Sequence, residues 1–145
     1  MSFREKSAWA CLITLLAVQA PYFLHVWPLF SRASVSPIEL WVPFVGAIVA
    51  QVALLVVIHV ALARQAAREP RDERDVAIDS RATRRAYALL SVEMCLLMFS
   101  TLWFGTTVSI TALGQFVLAG WVLAEVARYL SQLWDYRREV RGAAA

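Results

Sequence analysis

With 145 residues the chain has room for one domain, and its 60% apolar content exceeds the roughly 45–50% of water-soluble globular proteins. Only 17% of the residues are charged, and the formal net charge is +3. Composition alone still admits an apolar soluble helical bundle, so the placement of the charges decides.

Residues 8–30 contain no Asp, Glu, Lys or Arg, and neither do residues 40–63. Each run reaches the roughly 20 residues needed to cross a hydrocarbon core about 30 Å thick. A soluble bundle predicts a polar stripe on every helix, and these two runs offer none. Arg4 and Lys6 before the first run also raise the possibility of a cleaved signal peptide. The run is too long for that, and no small-x-small cleavage pattern follows it, so it reads as a retained helix.

Residues 64–85 form a charged loop, densest from Glu69 to Asp75. Pro70 suits the first turn of a helix. Asp72, Glu73 and Asp75 then lie near the positive end of its macrodipole, and Arg81, Arg84 and Arg85 come at the far end. The loop therefore predicts a short amphipathic helix that leads into the third span. One account of its charges is structural: capping, pairs such as Arg71 with Asp75, and topology. The other makes Asp72, Asp75 and Asp79 an acidic stripe that meets a cation or a protein, since spacings of three and four share a face. Interleaved arginines would compete with a cation for those carboxylates, which favours the structural account.

From Ala86 to Ala127 the only charges are Glu93 and Glu125. As a single helix that stretch would be about 63 Å long, twice the core, so it folds back on itself. The turn is placed at residues 105–109, with spans at 86–104 and 110–133. The predicted fold is all-α: a polytopic membrane four-helix bundle forming a single domain.

Four spans put both termini on one side. Twelve of the 14 basic residues flank that side, while Arg32 faces the other and Arg128 lies within span four. The positive-inside rule makes it the cytoplasmic side. Tryptophan placement agrees. Trp9 and Trp134 fall at the inner boundary, and Trp27, Trp41 and Trp103 at the outer one.

Ionisable residues inside a membrane are the first functional candidates, because each is costly without a partner. Counting along antiparallel spans places His59, Glu93, Glu125, Arg128 and Tyr129 in the cytoplasmic half. Gln19 and Gln51 lie near mid-membrane, with His59 eight residues beyond Gln51. Two uses are open. The cluster could be a Glu125–Arg128 pair plus interhelical hydrogen bonds that hold the helices together. Alternatively it is a proton or ion relay, or a site open to the cytoplasm. His25 and His59 sit at opposite depths, roughly 20 Å apart along the axis, which excludes one haem shared between them. Cys11 and Cys95 read as small core residues, outside any CxxC or Cys/His pattern. No nucleotide-binding glycine loop, HExxH motif or Ser/His/Asp arrangement is present. No cofactor, metal or nucleic-acid partner is expected, and no enzymatic activity.

Three short pieces run the length of the chain: Glu5-Lys-Ser-Ala-Trp9, Asp72-Glu-Arg-Asp75, and Ala124-Glu125 with Tyr136-Arg137. Together they resemble a family of small uncharacterised four-helix inner-membrane proteins of proteobacteria. The resemblance implies a four-helix protein of this length, and it supplies no chemistry. It marks Glu5, Lys6, Trp9, Asp72, Glu73, Arg74, Glu125 and Tyr136, nearly all at the cytoplasmic face, with Asp75 completing the loop motif. The segment Asp75-Val76-Ala77-Ile78 departs from the family's usual acidic-basic-Ile pattern. The expected role is an interaction or structural module with a charged cytoplasmic face, embedded in the bilayer and meeting a protein partner or a second copy of itself. A small transporter or proton-coupled channel using the intramembrane carboxylates is the alternative.

Overall fold

The computed structural model describes residues 3–31, 35–66, 72–103 and 109–142, all but a few of them helical. The four α-helices are α1 (Phe3–Val26), α2 (Pro37–Ala66), α3 (Glu73–Trp103) and α4 (Ile110–Gly142). A 3-10 turn, Trp27–Ser31, follows α1. All four helices are long and apolar enough to cross a membrane. Contacts divide the chain into two compact units, Met1–Pro70 and Arg71–Ala145. Each is built on one helical hairpin, α1 with α2 and α3 with α4.

Helix starts follow from local chemistry. Ser36 precedes Pro37, whose absent N–H costs nothing at a first helical position, and Glu39 N–H reaches back to the Ser36 carbonyl at 3.0 Å. This starts α2 three residues before the charge-free run. Asp72 caps α3: its Oδ1 accepts from Glu73 N–H at 2.7 Å and its carbonyl from Val76 N–H at 3.3 Å. Ser109 caps α4, with Oγ accepting from Ala112 N–H at 3.2 Å. Pro70, Arg71 and most of the 105–109 turn lie outside the described residues.

The helix expected in the loop and the third span are one element. The 31 residues of α3 would extend about 46 Å, well beyond a 30 Å core. Its first turns therefore precede the apolar stretch that begins at Ala86. Similarly α4 runs nine residues past the expected end at Leu133. Leu133 and Tyr136 are both buried, so the apolar spacing of α4 continues through its charged end.

In the first unit the buried residues of α1 include Ala8, Leu12, Leu15, Gln19, Tyr22 and Val26, with Thr14 buried beside them. Their alternating steps of four and three mark a narrow seam like that of a coiled coil. Cys11 is buried beside this seam, whereas Cys95 on α3 is exposed rather than in a core. Tyr22 meets Phe44 of α2 at a ring-centroid distance of 6.3 Å. Pro21 sits inside α1 and cannot donate to the Ala17 carbonyl.

In the second unit Ile78, Ala82 and Ala86 form the buried edge of α3, one turn apart, with Ile78 and Ala82 at 0% exposure. The alanines keep that edge thin, which lets a neighbouring helix approach closely. Much of the remaining helix surface is apolar and exposed. Val42, Val49, Val52, Val56 and Val60 coat α2, and Leu96, Phe99, Leu102 and Trp103 coat α3. Monomeric soluble proteins do not carry apolar coats of this extent. Hydroxyls along the helices bond within their own helix: Thr14 to the Ala10 carbonyl at 2.7 Å, Ser91 to Tyr87 at 2.8 Å and Thr101 to Met98 at 2.8 Å. Such self-satisfaction is what a helix surrounded by hydrocarbon requires.

Candidate functional site

Polar contacts concentrate where the start of α3 meets the end of α4. Tyr136 Oη donates to Asp75 Oδ1 at 3.0 Å, and one turn on Gln132 Nε2 donates to Asp79 Oδ1 at 2.8 Å. Asp135 stands between them on α4 with only 8% of its side chain exposed. Its Oδ2 lies 3.1 Å from Arg85 Nη1 and 3.4 Å from Arg81 Nε. Asp75 with Tyr136 and Asp79 with Gln132 share one antiparallel register, and Arg81 and Arg85 reach Asp135 from positions beyond Asp79. Three interhelical links stacked over about three turns form a polar ladder.

The ladder assigns the charges of the loop. Asp72 is the cap of α3, while Asp75 and Asp79 each hold α4. They do not form an open acidic stripe, and among the described residues no group of three potential metal ligands occurs. Asp75 and Tyr136, from two separate sequence motifs, are brought into contact. Glu73 and Arg74 are exposed beside the cap. Glu5, Lys6 and Trp9 lie in the first turns of α1, in the other unit, with Lys6 exposed.

Deeper along α4, Arg128 Nη2 sits 2.7 Å from Glu125 Oε2 and donates to Tyr129 Oη at 2.9 Å. The guanidinium carbon also lies 4.7 Å from the Tyr129 ring centroid. The cation is thus in reach of a carboxylate and an aromatic face, all within five residues of one helix. Arg128 Nε remains buried without a partner among the described residues.

Glu93 is not part of that group. Its carboxylate lies against Gly120, where a Cβ would come within 2.9 Å of Oε2. Gly120 is five residues before Glu125, about 7.5 Å along the helix. Glu93 Oε2 has no hydrogen-bond partner among the described residues. His59 belongs to the first unit, is exposed, and its Nδ1 pairs with the carbonyl of Leu55 at 2.7 Å. Eight helical residues turn it about 80° from Gln51, which explains why Gln51 is buried and His59 is not.

Asp135 escaped the sequence reading. Its signal was available: an acid two residues past Leu133 on a helix whose apolar spacing continues to Tyr136, opposite the basic end of the loop. No family model, curated protein or solved structure matches the chain.

Proposed function

We propose that the chain is a multi-pass protein of a bacterial inner membrane, with four spans bundled together and both termini in the cytoplasm. It belongs, on this reading, with the small four-helix inner-membrane proteins whose motifs it resembles. Its role is that of a non-enzymatic interaction module. The observation that carries this is the ladder of Asp75, Asp79, Gln132, Asp135 and Tyr136. Seven polar side chains at that end, Asp75, Asp79, Arg81, Arg85, Gln132, Asp135 and Tyr136, hold one helix to the other. The ladder stiffens a hairpin end that displays exposed Glu73, Arg74, Arg137 and Arg138. A rigid charged end outside the bilayer is a surface for a protein partner or a second copy.

Crosslinking in cells together with native mass spectrometry in lipid nanodiscs tests this. The expected result is a defined homo-oligomer or a copurifying partner that is lost when Arg74 and Arg137 are neutralised. A strictly monomeric protein with no partner contradicts it.

One observation favours a second role, as a small transporter or proton-coupled channel. Glu93 Oε2 is buried against Gly120 with no hydrogen-bond partner among the described residues. That role requires pH-dependent flux in proteoliposomes that disappears in Glu93→Gln or Glu125→Gln. Flux that is absent in the wild type, or unchanged in both variants, removes it.

A further inference from the structure

An open cleft of about 370 Å³ lies beside the ladder, lined by Arg85 of α3 and by Leu130, Ser131, Trp134, Asp135 and Arg138 of α4. Leu130, Trp134 and Arg138 follow one another at four-residue intervals, so they line one face of α4 over about 12 Å. Along that face the chemistry changes from aliphatic, to an indole that is 69% exposed, to a guanidinium. A glycerophospholipid presents the same order at a bilayer surface: acyl chain, ester region, phosphate. Arg85 approaches from the facing helix, held by Asp135 at 3.1 Å. Ser131 adds a hydroxyl that can donate to a phosphate oxygen.

The charge balance fits an anion. Of the lining residues, Arg85 and Arg138 carry positive charges and Asp135 carries the negative one. Asp135 is turned to Arg81 and Arg85, with little of its side chain exposed. Depth agrees as well. The apolar part of α3, whose one charged residue is Glu93, begins at Ala86, and Trp134 follows the expected end of span four, so Arg85 and Trp134 stand at the boundary where phosphates lie.

We propose that this cleft is a binding site for the headgroup of an anionic glycerophospholipid, with phosphate between Arg85 and Arg138 and one acyl chain descending over Leu130. The proposal rests on the membrane orientation given above. A bound lipid would fill the groove beside the ladder and tie the hairpin to the inner leaflet.

Native mass spectrometry of the full-length protein, with phosphatidylglycerol and phosphatidylcholine of matched chains titrated into detergent, measures this directly. Wild type retains phosphatidylglycerol about fivefold better than phosphatidylcholine, as expected for roughly one unshared guanidinium contact. Arg138→Gln and Trp134→Leu lose that preference while melting at the wild-type temperature. Arg84→Gln, an exposed arginine outside the cleft, keeps it. Equal retention of the two lipids by wild type overturns the proposal, as does an Arg138→Gln protein that binds like wild type. Displacement of phosphatidylglycerol by equimolar inorganic phosphate would make this a phosphate site and overturn the lipid assignment. A photocrosslinker at position 131 that captures protein instead of lipid in cells would assign the cleft to protein docking and also overturn it. Reporter fusions after Arg138 separate the two levels. A cytoplasmic reporter with no lipid preference sinks this site alone, whereas an external reporter sinks the orientation beneath it.

Discussion

The hydroxyl of Tyr136 and the carboxylate of Asp75 meet at 3.0 Å although 61 residues separate them in sequence. This contact closes the end of the α3–α4 hairpin farthest from its connection, so it fixes the register of everything between. Removing the hydroxyl in Tyr136→Phe should cost about 1–2 kcal/mol, the range for a hydrogen bond to a charged group that is partly exposed. Asp75→Asn should cost less, because the amide oxygen can still accept. A double-mutant cycle on thermal unfolding in detergent should show coupling between the two positions.

Asp135 serves two arginines, and each arginine is about half exposed. Losing either guanidinium leaves the carboxylate a partner, and exposed pairs contribute little individually. Losing the carboxylate leaves two half-exposed like charges side by side without the anion they share. Asp135→Ala should therefore destabilise more than Arg81→Ala or Arg85→Ala. Melting temperatures of the three proteins in one detergent check the order.

Ile78 is fully buried on the part of α3 that precedes the apolar stretch beginning at Ala86. On the proposed topology water competes there, so ordinary hydrophobic burial applies. Ile78→Ala should cost about 2–4 kcal/mol and Ile78→Val about 1 kcal/mol. Denaturant titration of the folded hairpin signal measures both, and a loss under about 0.5 kcal/mol for the alanine would show that the site is not packed.

Gly120 lies in mid-helix, where alanine would normally gain about 1 kcal/mol. Here a Cβ would fall 2.9 Å from Glu93 Oε2 and 3.3 Å from Met94 Cε. Both atoms end flexible side chains, so they can move, and Gly120→Ala should leave stability nearly unchanged. In a Glu93→Ala background the same substitution should become stabilising. An equal effect in both backgrounds would mean that Glu93 does not occupy the glycine's space.

The helices were legible because hydrocarbon sets a length and excludes charge, and both are countable. Span boundaries were less so. The run of Asp135, Arg137 and Arg138 looks like a polar tail, yet α4 continues because Leu133 and Tyr136 are spaced for burial and the ladder bonds to its charged turns. Gln132 and Asp79 were each visible as polar residues on a helix. Their pairing was not, because a helical repeat fixes a face but leaves the antiparallel register open. The same looseness grouped Glu93 with Glu125, whereas the structure sets Glu93 opposite Gly120. Glu125 and Arg128 were legible as a pair because their three-residue spacing within one helix needs no register.

The central claim is that four helices cross a membrane and return both ends to the cytoplasm, which sets the ladder and its cleft at the inner surface. Dual reporters, one active only in the cytoplasm and one only outside it, fused after Arg32 and after Arg74 test this most directly. The account predicts an external signal at Arg32 and a cytoplasmic one at Arg74. The same compartment at both positions would contradict it.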